Sequence, residues 1–342
     1  MSPLFSVVIP GYNRPEPLKH TLRSVAAAAY GVGEGGVETI LVDDGSAPSL
    51  EKQLAGFETC VEIHHLRQPN QGSIIARLTG LHAATGKFVL FLDSDDLIHP
   101  EKLLRHLAAH RTHQTDIVYD DMAIATLQAD HDSLFSDGER VLTTNDVPDF
   151  FLRAQPAPHC PSYRRAYLTA ALNAPIVPLD RRMDPAGDIW LYYNLLCHPA
   201  KIVKVDQHLT AVGPHPNERF SQHWETLGAA ALLVAEGFQR RRPSTPSTIH
   251  AGALVGAVAF ESWRRLPHDF HHGFSERLLA VWRNSPKGTE INLGGPVFRG
   301  LSLVLGPVNA GRLLRRLRGK PYATCRTFTT LELKRMLAAY GL

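Results

Sequence analysis

Through its first 120 residues the chain alternates short apolar runs with stretches whose apolar positions recur every three to four residues. Leu4–Ile9 is continuous and β-branched, the pattern of a buried strand. After Asn13 and Pro15, the residues Leu18, Leu22, Val25 and Ala29 fall at helical spacing, with Asn13 or Arg14 at the cap and Pro15 in the first turn. Val37–Val42 is a second strand run that ends in Asp43-Asp44-Gly45-Ser46, and Val61–Leu66 is a third. Ile74, Leu78, Leu81 and Thr85 mark one face of a helix closed by Gly86. The run Lys87–Leu92 predicts a further strand, Pro100–His110 a helix and Asp116–Asp120 a short strand. Strand–helix alternation of this kind predicts an α/β fold: a mainly parallel, Rossmann-like sheet flanked by helices, with ligands at the carboxyl ends of the strands.

Beyond residue 120 the periodicity loosens. Residues 121–160 read as an irregular connection with a short hairpin or helix, and Gln155–Pro161 is a Pro-rich break. A helix is predicted over Asp188–Leu196, with Ile189, Tyr192, Tyr193 and Leu196 on one face, followed by a strand at Lys201–Val205. Arg240–Ser247 reads as a linker, Ile249–Leu266 as an Ala- and Gly-rich helix, and the remainder as mostly helical. The expected organisation is one α/β domain over residues 1–239 and a helical C-terminal region over 240–342.

Composition narrows the class. With 342 residues, 44% hydrophobic and 20% charged, the chain can bury a substantial core. Cys60, Cys160, Cys197 and Cys325 are far apart, so neither a zinc knuckle nor a disulfide framework is indicated and a reducing, cytoplasmic setting is expected. The opening residues show no basic segment ahead of an apolar core, and no run approaches the length of a transmembrane helix. The net charge of +3 hides an asymmetry: residues 240–342 carry 17 Lys and Arg against 5 Asp and Glu. Such a region suits an anionic membrane surface or a charged acceptor, and a basic solvated helical surface explains it as well. Within it, Leu313, Leu314 and Leu317 share a helical face with Arg312, Arg315, Arg316 and Arg318 around it, a pattern suited to an anionic acceptor or to a peripheral membrane contact at the inner face, while packing against the α/β domain explains the leucines equally well. The basic residues are not interleaved with a nucleic-acid-binding motif, so no nucleic acid is expected.

The chemistry concentrates in Asp93-Ser94-Asp95-Asp96, which directly follows a strand run. Three carboxylates in four positions at a sheet's mouth repel one another and call for a cation, so the segment reads as a hard-metal site, with a solvated acidic turn as the plainer alternative. Asp43 and Asp44 end another strand and are equally compatible with a simple Asp-Gly turn.

Together, Val8–Asn13, Val42–Ser46, Asn70-Gln71-Gly72 with Ala76-Arg77, Gly80, Ala84–Gly86 and Phe91–Asp96 resemble the inverting family 2 glycosyltransferases of GT-A fold, across roughly residues 5–110. The resemblance implies a nucleotide half over 1–120 and an acceptor half over 121–239. It implies that Pro10, Tyr12, Asn13, Asp43 and Asp44 hold uracil and ribose, that Arg77 lies near the nucleotide, and that Asp93 and Ser94 line the same site. Asp95 would ligate Mn2+ or Mg2+ on the diphosphate, with Asp96 as support and His215 completing the metal shell; Arg219 could instead touch phosphate. The acceptor hydroxyl needs a base opposite the leaving group, and the acidic pair that the family carries at a helix start is represented by Gly187-Asp188. Asp188 is therefore the candidate base, with Asp184 as fallback and a helix N-cap as the structural alternative.

The expected activity is metal-dependent transfer of a sugar from a UDP-sugar donor to a hydroxyl of a glycan, lipid-linked or other acceptor. Two alternatives stand beside it. A nucleotidyltransferase would show a Gly-rich loop with a basic residue after the first strand, which Gly11-Tyr12-Asn13 is not. A degenerate sugar-binding or scaffold protein is disfavoured by the retained acidic residues and kept alive by Gly187, which stands where the family's first acid would be.

Overall fold

The computed structural model describes residues 2–124, 135–212, 223–287 and 293–342. Among these the backbone divides into two compact units: the described residues up to 174 with those from 198 to 212, and those from 175 to 197 with those from 223 onward.

The first unit begins β1 (Phe5–Gly11), α1 (Pro15–Tyr30), β2 (Val37–Asp43), α2 (Leu50–Gln53), β3 (Ile63–Arg67), α3 (Ser73–Ala83) and β4 (Phe88–Phe91). The predicted alternation is present. β1 pairs in parallel with β2 and β4, and β2 with β3. Every residue of β1 is buried, as a strand covered on both faces requires. Its side chains alternate between two layers: Phe5, Val7 and Ile9 join Leu18, Leu22, Val25 and Ala28 of α1 in one core. On the opposite face Gly80 of α3 lies so close to β1 that a Cβ there would sit 2.3 Å from Val8 Cγ1. Pro15 starts α1 with Arg14 as its N-cap residue, so the chain leaves the carboxyl end of β1 and turns directly into a helix.

The unit continues with β5 (Leu97–Ile98), α4 (Lys102–His113), β6 (Ile117–Ile124), β7 (Gly138–Glu139), α5 (Val147–Asp149) running into a π-turn at Phe150–Ala154, β8 (Ser162–Arg164) and α6 (Arg165–Leu172). After α7 (Gly187–Leu195), which belongs to the second unit, β9 (Ile202–Val212) returns to the sheet. The strand order is β3-β2-β1-β4-β8-β6-β9-β5, with β7 on β6. β8 runs antiparallel to both β4 and β6, while β6 and β9 are parallel with a register shift at Tyr119/Asp121. The parallel character expected from the sequence thus holds through β3-β2-β1-β4, and the antiparallel β8 introduces the mixed part.

The second unit is helical: a 3₁₀ turn (Arg181–Ala186), α7, α8 (Trp224–Arg241), α9 (Pro246–Arg265), α10 (His272–Arg283), α11 (Pro296–Arg318) and α12 (Thr330–Ala339). Phe260 forms the centre of an aromatic core with Trp263, Trp282 and Phe298. Arg277 clasps both oxygens of Glu236 at 2.7 Å, joining α10 to α8. The segment read as a linker is a tight bend within this unit. Arg240 and Arg241 are the last turn of α8, and Thr245 forms a capping box with Thr248 at the start of α9.

Candidate functional site

The carboxyl ends of β1, β2 and β4 carry the expected acidic residues. Asp43 closes β2, is almost fully buried, and accepts hydrogen bonds from Ser46 N (2.8 Å) and Leu50 N (3.0 Å). Asp44 accepts from Gln68 Nε2 (2.8 Å), Gln71 N and Gly72 N (both 2.9 Å), so it fastens the loop before α3. Gly45 adopts φ +88°, and a Cβ there would meet Asn70 N at 2.7 Å, which locks the same two loops together. Asn13, itself at φ 52°, donates its backbone N–H to Ser46 Oγ and accepts from Ala47 N, tying the end of β1 to this loop. Pro10 is buried, whereas Tyr12 stands 47% exposed at the strand end.

Each carboxylate of the 93–96 turn meets a basic side chain from a different element. Arg77 Nη2 of α3 lies 2.6 Å from Asp93 Oδ1, and Arg14 Nη1 at the head of α1 lies 2.6 Å from Asp95 Oδ2. His159 Nδ1, on the segment before β8, lies 2.9 Å from Asp96 Oδ2. The turn is held by Asp96 N on Asp93 O and by Thr21 Oγ1 of α1 donating to Asp96 O. Ser94 is buried between them in sequence.

Electrostatics distinguishes the three. Burial opposes ionisation of Asp93, but Arg77, His159 and Arg14 together outweigh it and hold the pKa below the usual carboxylate value. Asp95 is pushed up to about 6, first by burial and then by the Asp96 and Asp93 charges, which Arg14 only partly offsets. Burial works against a charged His159, yet Asp96 and Asp93 outweigh it and raise its pKa.

Ligand atoms of Asp93, Asp96 and His159 lie within 4.8 Å of one another. Two carboxylates and an imidazole suit Mn2+, and with bonds of about 2.2 Å the set needs only a small contraction to share one ion. His159 Nε2 is buried and has no hydrogen-bonding partner among the described residues, which also fits a ligand. The donor set therefore fits a divalent cation. Of the expected pair, Asp95 meets Arg14 much as Asp93 meets Arg77, and His215, like Arg219, lies outside the described residues.

His159 and Arg14 are the two site residues that sequence reasoning missed. Arg14 directly follows the Gly11–Asn13 motif, and His159 sits inside the Pro-rich segment read only as a break. A network behind that segment explains its placement. Lys102 Nζ, fully buried, donates to Asp120, to Cys160 O (2.7 Å) and to Thr210 Oγ1 (2.6 Å), using all three of its protons. Asp120 also accepts from Thr210 Oγ1 at 2.7 Å and faces His106 Nε2 at 2.9 Å, while Cys160 Sγ donates to Asp120 O at 3.1 Å. Burial opposes the Asp120 charge, but Lys102 and His106 together outweigh it and lower its pKa; burial, reinforced by Lys102, lowers His106 to about 4. Residue 160 is thereby pinned to α4, β6 and β9, one position from His159.

Asp188 lies exposed in the first turn of α7, in the second unit. The N-cap residue of that helix is Ala186, without a side-chain capping bond, so Asp188 is not the cap. Asp184 lies in the preceding 3₁₀ turn, where its backbone carbonyl accepts from Gly187 N.

A parallel βαβ half with acidic strand ends, joined through an antiparallel strand to a mixed half, is the GT-A architecture. Solved structures share it. Residues 1–349 of S. aureus TarS in complex with UDP superpose with a TM-score of 0.57 at 19% identity, over 94% of this chain and 93% of that one. The mannosyltransferase PcManGT from Pyrobaculum calidifontis, in complex with GDP-Man and Mn2+, gives 0.50 at 13% identity, over 93% and 87%. Residues 6–173 match Glycosyl transferase family 2, and that stretch of the chain belongs to the family. Curated relatives include the putative teichuronic acid biosynthesis glycosyltransferase TuaG of Bacillus subtilis (strain 168), 35% identical over 107 residues, or 31% of this chain and 41% of the relative. The uncharacterized glycosyltransferase YibD of Escherichia coli (strain K12) is 31% identical over 126 residues, 36% of this chain and 33% of the relative. The chain thus spans well under half the length of these relatives.

Proposed function

We propose that this protein is an inverting, divalent-metal-dependent glycosyltransferase that moves a sugar from a UDP-sugar to a hydroxyl of a glycan or lipid-linked acceptor. The observation that carries the reading is the set of three carboxylates after β4, each opposed by a basic group, beside the acidic end of β2. Tyr12 offers an exposed ring for the uracil beside Pro10, and Asn13, Asp43 and Asp44 shape the base and ribose pocket through the two loops they fasten. Arg14 and Arg77, paired with the carboxylates of the same turn, would answer the diphosphate, with Ser94 lining the nucleotide site and the carboxylates holding the cation. A bound Mn2+ or Mg2+ would supply charge neutralisation of the departing diphosphate.

Asp93, Asp96 and His159 are one candidate ligand set for that ion; Asp95 with His215, which lies outside the described residues, is the set that the family resemblance implies. Asp188 takes the acceptor proton as the anomeric carbon is attacked from the face opposite the leaving group. The family match and the UDP and GDP-Man complexes of structural relatives support the donor class. A peripheral contact with the inner face of a membrane, through the basic C-terminal region of a cytoplasmic protein, belongs to the same reading; no described helix is long and apolar enough to cross a membrane.

Calorimetry of UDP with and without Mn2+ tests the site directly. Asp95→Asn and His159→Gln each lower Mn2+-dependent UDP affinity if both ligand sets contribute, and only one does so if a single set holds the ion. Binding that is the same in EDTA, for parent and variants alike, removes the metal from the mechanism. A transfer product that retains the donor's anomeric configuration by NMR removes inversion.

A further inference from the structure

Helix α11 is two helices joined at an elbow. Gly306 has φ 73°, ψ 159°, and Pro307 follows, so the chain bends sharply between residues 305 and 307. One side is anchored: Phe298 is buried under the Arg264 guanidinium at 4.0 Å, and Gly311 packs so tightly that a Cβ would meet Trp263 Cζ3 at 2.4 Å. Arg315 is buried too, donating to Leu266 O (3.1 Å) and Pro267 O (2.7 Å). The other side carries unusually bare aliphatic groups. Leu303 is 89% and Val304 83% exposed at the elbow, with Val297 on the same side one turn pair earlier and Leu317 on the second arm. The expectation from sequence placed the apolar face at Leu313, Leu314 and Leu317; the most exposed positions lie instead at the elbow.

The charge around this face has one sign. Arg299, Arg312, Arg316, Lys320 and Arg326 are exposed, and no Asp or Glu occurs from residue 296 to 326. Among the described residues, Arg312 has an acidic neighbour, Glu276 of α10 at 3.8 Å. We propose that the outward face of α11 docks on anionic phospholipid headgroups, with Leu303 and Val304 entering the acyl boundary and the arginines meeting phosphate. A second copy of this chain is the weaker occupant, because a twofold contact would lay the same basic rim against itself. A lipid surface satisfies both halves of the pattern: aliphatic chains partition below the headgroups while cations stay at their level. The proposal rests on the membrane contact advanced above for the C-terminal region and is independent of the transfer chemistry.

The test is co-sedimentation of the full chain with vesicles of phosphatidylcholine alone and with phosphatidylglycerol added. Binding is expected only with the anionic lipid and weaker in high salt. Leu303→Ser with Val304→Ser lowers partitioning by about 100-fold, since each aliphatic chain returned to water is worth roughly tenfold. Arg312→Gln with Arg316→Gln lowers it by about 20-fold and flattens the salt dependence. In a Val304→Trp variant, brominated phosphatidylglycerol quenches the added indole, read as the difference from the parent. Equal melting temperatures verify that the variants are folded. If the serine variant binds like the parent and the added indole escapes quenching, insertion at the elbow is wrong while the electrostatic contact survives. If nothing binds at low salt, both are wrong. If light scattering shows a dimer that the serine variant dissolves, the face belongs to a second copy.

Discussion

Replacing Lys102 by Met asks how far the first unit depends on its buried charge network. Methionine keeps the apolar stem and removes three donors at once. Asp120, fully buried, is left ionised with His106 Nε2, Thr210 Oγ1 and the long Cys160 Sγ contact as its partners, and Cys160 O loses the Lys102 hydrogen bond. Removing one partner of a buried ion pair costs ~3–5 kcal/mol, and an unsatisfied buried carbonyl adds ~1 kcal/mol. The sum, ~4–6 kcal/mol, is a large share of the ~5–15 kcal/mol that holds a typical domain together. The double variant Lys102→Met with Asp120→Asn removes both charges and keeps an acceptor for Thr210, so it recovers at least ~2 kcal/mol of the loss. Tryptophan fluorescence is the wrong probe, because Trp190, Trp224, Trp263 and Trp282 all belong to the second unit. Amide hydrogen exchange of β4 and β6, followed by mass spectrometry in a urea series, reads the first unit. A single variant within ~1 kcal/mol of the parent, or a double variant no better than the single, refutes the reasoning.

Acid sensitivity follows from the same region. Burial lowers His106 to about 4 and His110 to about 3 in the folded chain, against an unfolded value near 6.5, so the unfolded state binds more protons in that window and stability falls as pH drops from about 6.5 toward 3. The loss is on the order of a few kcal/mol per imidazole, and an unfolding free energy that is flat between pH 7 and 4 contradicts it. Gly80→Ala drives a methyl into Val8 and destabilises the α3–β1 contact by ~1–3 kcal/mol in urea titration, whereas an unchanged midpoint means the helix simply shifts outward. Because Ala186 rather than Asp188 is the N-cap residue of α7, Asp188→Asn leaves the melting temperature unchanged while slowing sugar transfer by about 10² to 10⁴. Near-normal transfer moves the base assignment to Asp184. Asp44→Ala weakens UDP more than pyrophosphate, and equal weakening of both in calorimetry counts against a base pocket at β2.

The strands and helices with strong periodicity were legible because their apolar positions are dictated by the cores they enter, as with Leu18, Leu22 and Val25 of α1. β5 and β8, two and three residues long, are too short to print a pattern, and β8 owes its place to pairing with β4 and β6, which no local signal announces. The acidic turns could be read for the same reason that they are conspicuous: several carboxylates at a strand end have few structural uses. Their partners could not. Arg14, Arg77 and His159 come from positions 81, 16 and 63 residues distant from the acids they meet, and only the folded sheet brings them together. The Lys102–Asp120–Thr210 network likewise depends on three elements meeting at one point.

Cys160 gives that arrangement a clock. Its thiol is fully buried and its pKa is driven far up, chiefly by burial and then by the Asp120 charge, so the closed protein offers almost no thiolate for alkylation. Cys60, by contrast, is exposed and reacts first. Once Cys60 and the two partly exposed thiols, Cys197 and Cys325, are replaced by Ser, the slow modification of Cys160 reports how often the backbone beside His159 breathes open: its rate is the intrinsic thiol rate multiplied by the opening equilibrium. A ligand that engages His159 then registers as a delay in labelling one residue away, so occupancy of the site is measurable with a thiol reagent and no sugar acceptor.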